Sequence, residues 1–491
     1  MKLKKIKTLT NHQKEKLFIV GIGASAGGLE AFESFFRHMP PKTGIAFVLI
    51  THLDPQKISI LPDLIKKFTQ MNVFVIEEGV KVQPNTVYVI PPNKNCAIYK
   101  GTLQIFDITK PDEPIGIKMP IDFFFKSLAE DQNELAIGIV LSGMGTDGTI
   151  GLKAIKNELG LVMAQDSDSA AYSSMPQSAI NTGCVDYVVS PEKMPELLIK
   201  YIKHASDKTV ANLDSSSNKI PDALQKVLII LRSITGHDFS GYKHNTIFRR
   251  IERRMNLHQI EHVSDYVRYL QQHRTETEIL FKELLIGVTS FFRDPEAFDA
   301  LKELLLSHFL TADKSNNTSF RIWVPACSTG EEAYSIAILI KECLQEIDRP
   351  VHVQIFATDL DANAIEIARL GKYPSGIAAH VKPERLKEFF SEHEESYIIQ
   401  KKIRELIVFA PQNIIKDPPF TKIDLLCCRN LLIYLDSDLQ KKLIPIFNYA
   451  LNPEGMLFLG TSETIAFHER LFVLINKKWK LYKRREDNYA R

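Results

Sequence analysis

The sequence predicts an α/β protein. It has two doubly wound, mostly parallel sheet domains joined by a linker, with a small helical domain before the second. Three observations carry this reading. Short apolar runs alternate with helix-spaced stretches from Leu17 to about Ala205, and again from Phe320 onward. Asp207 to Asp222 is rich in Ser, Asn, Asp and Lys, including Ser215-Ser216-Ser217-Asn218, and has little to bury. Ala223 to about Val288 shows helical spacing without strand alternation.

Taken in order, residues 1–16 are Lys-rich, lack the apolar core of a secretory signal and read as a disordered tail. Residues 17–205 form the first α/β domain. Its strands are expected at Leu17–Ile22, Ile45–Ile50, Val87–Ile90, Ala136–Leu141, Leu161–Ala164 and Val185–Val189. Residues 206–222 are the linker and 223–288 the helical domain. Residues 289–487 form the second α/β domain, with strands expected at Arg321–Pro325, Val353–Thr358, Leu406–Ala410, Ile423–Cys428 and Met456–Gly460. No internal repeat is visible.

The 491 residues suit about two to four domains. A composition 45% hydrophobic and 24% charged is that of ordinary globular domains. Lys+Arg 61 against Asp+Glu 59 leaves +2, which gives no global pull toward nucleic acid or a membrane. No apolar run is long enough to span a bilayer. The six cysteines lack metal-like spacing, so no metal is expected, and they read as buried thiols of a cytoplasmic protein.

Leu17-Phe18-Ile19-Val20-Gly21-Ile22 is a buried strand that turns through Gly23-Ala24-Ser25-Ala26-Gly27-Gly28 into a helix. A serine in such a turn stands at the carboxyl edge of the sheet, beside helix N–H donors suited to a developing oxyanion. Serine needs a base. Thr51-His52 follows the second strand, and Asp147 lies in Gly143-Met144-Gly145-Thr146-Asp147-Gly148 after the Ala136 strand. Parallel strands share one carboxyl edge, so His52 could reach Ser25 and Asp147 could orient the imidazole. The residues alone leave alternatives open. Gly21-x-Gly23-x-x-Ala26 also matches a dinucleotide-binding turn, and an Asp in a Gly-rich loop is an ordinary turn former.

These motifs occur in one order with Thr51-His52-Leu53-Asp54-Pro55, Val89-Ile90-Pro91-Pro92-Asn93, and Gln165-Asp166 leading to Met175-Pro176-Gln177-Ser178-Ala179. From Leu17 to about His204 the chain resembles the catalytic domain of the chemotaxis protein-glutamate methylesterase. The resemblance implies Ser25 as nucleophile, His52 as base, Asp147 as third member and the Met144 N–H in the oxyanion hole. It departs at Ala26, where the family often has Thr. Family members usually carry a receiver domain ahead of the esterase. With 16 residues before Leu17, control through an attached receiver is not expected.

In the second α/β region, Arg321-Ile322-Trp323-Val324-Pro325 runs into the small-residue turn Cys327-Ser328-Thr329-Gly330, and Glu331-Glu332 opens a helix. The next strand ends at Asp359, where a carboxylate can accept both hydroxyls of a ribose. This layout serves class I methyltransferases and NAD-binding domains alike. A single glycine is a weak phosphate cradle, which favours the former.

Leu285-Ile286-Gly287-Val288-Thr289-Ser290-Phe291-Phe292-Arg293-Asp294 and the run Phe420 to Tyr434, with that turn, resemble the chemotaxis receptor glutamate methyltransferase from about Ala223 to Lys483. The resemblance implies S-adenosyl-L-methionine as cofactor, held by Thr289, Arg293, Glu332 and Asp359. Asn413, Ile414, Arg429 and Asn430 complete the pocket, and Tyr434 lies near the transferred methyl. Gly287 stands where members commonly have Asn. A small β-rich docking subdomain is implied near 373–410, where the charged run Glu384 to Glu395 reads equally as an exposed helix.

Phe248-Arg249-Arg250-Ile251-Glu252-Arg253-Arg254-Met255 is a basic amphipathic helix. Neutral overall charge and the lack of an interleaved aromatic platform argue against nucleic acid. By resemblance its basic face meets glutamate-bearing helices of a chemoreceptor or related sensory protein. No membrane insertion is expected, and sensory or kinase partners acting in trans stay open. The chain therefore reads as a fused enzyme that makes and hydrolyses glutamate methyl esters, and that can deamidate glutamine through the same acyl intermediate. Two other readings stay open: a methyltransferase with a non-catalytic esterase-like docking or regulatory domain, and a scaffold that binds S-adenosylmethionine as a signal.

Overall fold

The computed structural model describes residues 17–52, 60–107, 119–211, 220–285, 287, 289–311, 319–348, 350–393, 396–465 and 468–485. The expected N-terminal tail, Leu53-Asp54-Pro55 and the Ser215–Asn218 core of the expected linker lie outside them. The described residues fall into two compact units, one made of residues 17–107, 120–144 and 148–211, the other of 119, 145–147 and 220–485.

In the first unit the elements run β1 (Ile19–Ala24), α1 (Gly28–His38), β2 (Ala46–Thr51), α2 (Leu61–Phe68), β3 (Asn72–Val75), β4 (Thr86–Val89), β5 (Lys94–Tyr99), β6 (Thr102–Asp107), α3 (Pro120–Gln132), β7 (Ala136–Val140), α4 (Thr149–Asn157), β8 (Leu161–Gln165), α5 (Ser174–Asn181), β9 (Tyr187–Val189) and α6 (Met194–Ala211). Seven strands pair in the order β3-β4-β2-β1-β7-β8-β9. Every pair is parallel. β5 and β6 form a separate hairpin. The central strands β1 and β7 are buried along their whole length, as strands covered on both faces must be. Helix α3 presses so closely on β1 that a Cβ at Gly23 would lie 2.5 Å from an Ile121 methyl. Only glycine admits that approach.

The second unit begins with helices α7 (Ile220–Thr235), α8 (His244–Leu257), α9 (Val263–Gln272), α10 (Arg274–Leu285) and α11 (Pro295–Thr311). It continues β10 (Ser319–Pro325), α12 (Glu331–Ile347), β11 (His352–Asp359), α13 (Ala362–Leu370), β12 (Lys372–Pro374), α14 (Pro383–Phe389), β13 (Phe390–His393), β14 (Ser396–Ile399), α15 (Lys401–Arg404), β15 (Ile407–Pro411), β16 (Ile423–Cys428), α16 (Ser437–Ala450), β17 (Leu451–Leu459), β18 (Phe472–Asn476) and β19 (Leu481–Arg484). The main sheet has the order β15-β11-β10-β16-β17-β19-β18, parallel as far as β17 and antiparallel at its β19–β18 edge. β12, β14 and β13 make a small antiparallel sheet.

Two expectations are corrected. The stretch read as a linker from residue 206 is helical as far as Ala211, and helix begins again at Ile220. A polar stretch says only that side chains need no burial, and a helix satisfies its own backbone. The basic face of α8 is not a free surface. Arg250, Arg253 and Arg254 are 5%, 3% and 7% exposed. Arg253 donates to Glu283 at 2.8 Å, and the Arg254 Nε donates to Glu276 at 2.8 Å. The carboxylates come from α10, too far along the chain for the pattern within α8 to reveal them.

Candidate active sites

In the first unit the register places the candidate triad. Ala24 on β1 pairs with Thr51 on β2, so Ser25 and His52 leave adjacent strands side by side. On the other flank, β7 pairs with β1 through Gly23 and Val140, and its loop carries Met144 and Asp147. The segments that carry Ser25 and His52, and the loop after β7, therefore leave three neighbouring strands at one carboxyl edge. Ser25 is half-buried and His52 exposed, while Asp147 is 1% exposed.

The turn at Ser25 is fixed by its neighbours. The Ser25 N–H donates to the Ser142 carbonyl at 3.0 Å. It is thus committed to the fold and not available to an oxyanion. The Ser142 hydroxyl donates to the Ala26 carbonyl at 2.9 Å and accepts from the Tyr172 N–H at 3.0 Å. Gln165 in turn accepts from the Ser142 N–H at 2.8 Å. Among the described residues, the N–H groups of Ala26 and Met144 take no hydrogen-bond partner. They are the donors left for an oxyanion beside Ser25. Gly27, left-handed at φ 71, begins α1 without a side-chain cap, so the helix N-terminus stays open. Sequence reasoning missed Ser142 as a support, since a lone serine after a strand carries no signal of its own.

In the second unit the cofactor turn joins β10 to α12. The Asp359 carboxylate, at the end of β11, accepts from the Ser328 N–H at 2.8 Å and from the Asp361 N–H at 2.9 Å. Burial raises Asp359 above the ordinary carboxylate range, and these backbone bonds oppose the rise. Half-buried Glu332 lies on α12 under the same edge. Burial pushes it up to about 7, Arg429 pulls it back, and Glu463 pushes it further. Arg293, in the segment before α11, is close enough to Glu332 to lower it.

Arg429 lies beside Glu332, with a guanidinium nitrogen 3.5 Å from its carboxylate. Its side chain is fully buried. It donates to Asp294 at 2.6 Å and to the Arg293 carbonyl at 2.9 Å. Its guanidinium lies over the rings of Phe298 and Phe458. It is a strut that ties the Arg293 corner to β16. Asn413 spends its side-chain oxygen on the N–H of Ile415 at 3.0 Å, and Ile414 packs on the apolar core behind the sheet. Asn430 presents its backbone N–H to Glu463 at 2.9 Å. Tyr434 ends a short helical turn whose carbonyl accepts from the Lys243 N–H at 2.9 Å, and Tyr242 bridges Leu435. The helical layer thus holds the Tyr434 loop directly.

Left-handed non-glycine residues gather at this edge: Phe292, Asp294, Ala326, Ser328 and Asn430. Such strain collects where the chain is shaped around a ligand. Gln412, whose N–H donates to the Asp359 carbonyl at 2.9 Å, has a buried side-chain carbonyl with no partner among the described residues. No group of His, Cys, Asp and Glu among the described residues could hold a metal ion. No described helix is long and apolar enough to cross a membrane.

Residues 20–198 match the CheB methylesterase family. Residues 222–285 match the all-alpha domain of the CheR methyltransferase, and residues 287–481 its SAM binding domain. An uncharacterised 104.1 kDa protein of Rhodobacter capsulatus is 33% identical over 86% of this chain, which spans 46% of that relative's length. The chemotaxis protein methyltransferase of Escherichia coli is 30% identical over 48% of this chain and 82% of its own. A Leptospira interrogans protein assigned as protein-glutamate methylesterase/protein-glutamine glutaminase is 34% identical over 36% of this chain and 92% of its own.

Proposed function

This chain belongs to the CheB methylesterase and CheR methyltransferase families, and we propose that it both makes and hydrolyses γ-methyl esters on glutamate side chains of chemoreceptors or related sensory proteins. The observation that carries the reading is the strand register. It brings Ser25, His52 and the Asp147 loop to one edge, in a chain whose other unit builds the turn at Ser328 and Asp359.

In the second unit, S-adenosylmethionine supplies a methyl group on a sulfonium sulfur. Asp359 would hold the ribose, Glu332 would meet the cationic end, and Arg293 would orient the incoming carboxylate. A glutamate side chain, with an ordinary pKa of about 4.3, is already the nucleophile at neutral pH. Its oxygen would receive the methyl group from bound S-adenosylmethionine, and no general base would be required. The protein's task is alignment and exclusion of water.

In the first unit, Ser25 Oγ attacks the ester carbonyl while His52 takes its proton, with Asp147 fixing the imidazole. The oxyanion is met by the Met144 N–H. The proton held by His52 leaves with the methoxy group as methanol. Water then cleaves the acyl-Ser25 ester and frees the glutamate. A glutamine amide passes through the same acyl intermediate and releases ammonia. A cytoplasmic site of action belongs to this reading, supported by six free, buried cysteines.

The test supplies methyl-labelled S-adenosylmethionine and a glutamate-rich receptor fragment to the wild type and to Ser25→Ala. The wild type is expected to release labelled methanol. Ser25→Ala is expected to lose that release by at least about a thousandfold and to leave the label on the receptor. Label held on the receptor by both, with no methanol from either, would refute the esterase half.

A further inference from the structure

We propose that Glu463 is a positioning residue for methyl transfer, setting the Asn430–Tyr434 loop against the cofactor turn. The proposal rests on the methyl-transfer reading above. Glu463 follows β17 and is 3% exposed. Its carboxylate is close enough to Glu332 to raise it. It accepts three backbone N–H groups: Gly460 at 2.6 Å, Leu432 at 2.7 Å and Asn430 at 2.9 Å. One buried carboxyl group thereby joins the ends of two adjacent parallel strands, β16 and β17.

Asn430 is left-handed at φ 60, a conformation that a non-glycine residue keeps only when its surroundings impose it. The bond to Glu463 is one such constraint. Space confirms the tightness of the junction. A Cβ at Gly460 would lie 2.7 Å from a Glu463 oxygen and 3.0 Å from the Asn430 nitrogen. The far end of the same loop is fixed by the Lys243 N–H to the Tyr434 carbonyl and by the Asp436 N–H to the Gly241 carbonyl, both at 2.9 Å. The loop is therefore clamped at both ends, by Glu463 beneath and by the segment between α7 and α8 above. Charge-assisted bonds to backbone N–H are among the stronger ones, and removing the charge inside a buried site leaves the donors poorly matched.

The experiment is Glu463→Gln in the full chain, with activities normalised to the folded fraction from thermal melts. Glutamine keeps the shape, but turns an amide donor toward N–H groups that need an acceptor. The kcat for methyl transfer to the receptor fragment is expected to fall at least about tenfold, with KM for that fragment within about twofold. Affinity for S-adenosylhomocysteine, read by calorimetry, is expected to weaken at least about fivefold through Asn430. Should Glu463→Gln not fold, Glu463→Asp, which draws the carboxylate back by one methylene, must show the same falls. A kcat and an affinity within about twofold of wild type would overturn the proposal. A wild type that binds S-adenosylhomocysteine but transfers no methyl would sink the methyl-transfer reading instead. The affinity comparison would then still decide whether Glu463 sets the loop.

Discussion

Glu332 shows how much a single carboxyl depends on where the chain leaves it. It lies between burial, which drives it toward its neutral form, and Arg429, which favours its anion, and it comes to rest at about 7 rather than the ordinary 4.5. The sign of the linkage follows. Between about pH 4.5 and pH 7 the folded chain keeps a proton that the unfolded chain has lost, so this group's contribution to stability falls as pH rises through that window. A cationic ligand reverses the preference, because it binds the ionised form better. Affinity for S-adenosylmethionine is therefore expected to rise about tenfold from about pH 5.5 to about pH 7. Glu332→Gln should bind more weakly at pH 7 and lose that slope; calorimetry across the range reads both. A wild-type affinity flat with pH would contradict it. The residues legible from sequence, Ser25, His52, Asp147 and Asp359, share one property: each directly follows or ends a strand, or lies in a glycine-marked loop after one. Glu463 and Ser142 were harder. Their partners are backbone groups and loops that only the fold brings near, and no local pattern records them.

Helix α8 carries the lesson for elements. Its spacing is amphipathic, and the basic run suggested a face for an acidic receptor. The fold turns most of that charge inward. Glu276 is its hub, accepting from Arg254, from the Tyr266 hydroxyl at 2.7 Å and meeting His258 at 2.8 Å. Burial raises Glu276, but the bonds from His258 and Arg254 outweigh it and hold the carboxylate below its ordinary range. Its stabilising contribution is therefore present above its unfolded pKa and lost as pH falls through the folded one. Removing one member strands the others. Glu276→Ala is expected to cost about 3–5 kcal/mol in chemical denaturation. Arg249→Ala, on the exposed side, should stay within about 0.5 kcal/mol. Equal, small effects would show the buried network to be dispensable. Charge periodicity reported that α8 has a basic stripe. It did not report that α10 supplies the matching anions. By contrast, the central strands of both sheets were readable as nearly unbroken apolar runs, while the mostly exposed β3 was not.

At the level of the whole molecule, all six cysteines are buried. Burial pushes Cys96 up to about 12 and Cys343 up to about 11, and raises Cys327, Cys427 and Cys428 well above the usual thiol range. Thiolate is the reactive form. The native chain at neutral pH is expected to react with a disulfide reagent at none of these positions within the time in which the denatured chain reacts at all six. Prompt labelling of the native chain would contradict that packing. The α/β class of both units was legible, as was the order of their parts. The antiparallel β19–β18 edge and the helical reach of α6 were not, since neither bears on which residues must be buried. Gly27, Gly148 and Gly330 open α1, α4 and α12 in left-handed form, with no side-chain cap, and those bare ends face the two sites. Asp361 and Asp436 cap α13 and α16 with their own carboxylates. His262, extended ahead of α9, caps nothing. Thermostabilisation by helix capping thus has room at positions like His262 and none at the three glycines, where a harder, better-capped protein would be a less active one.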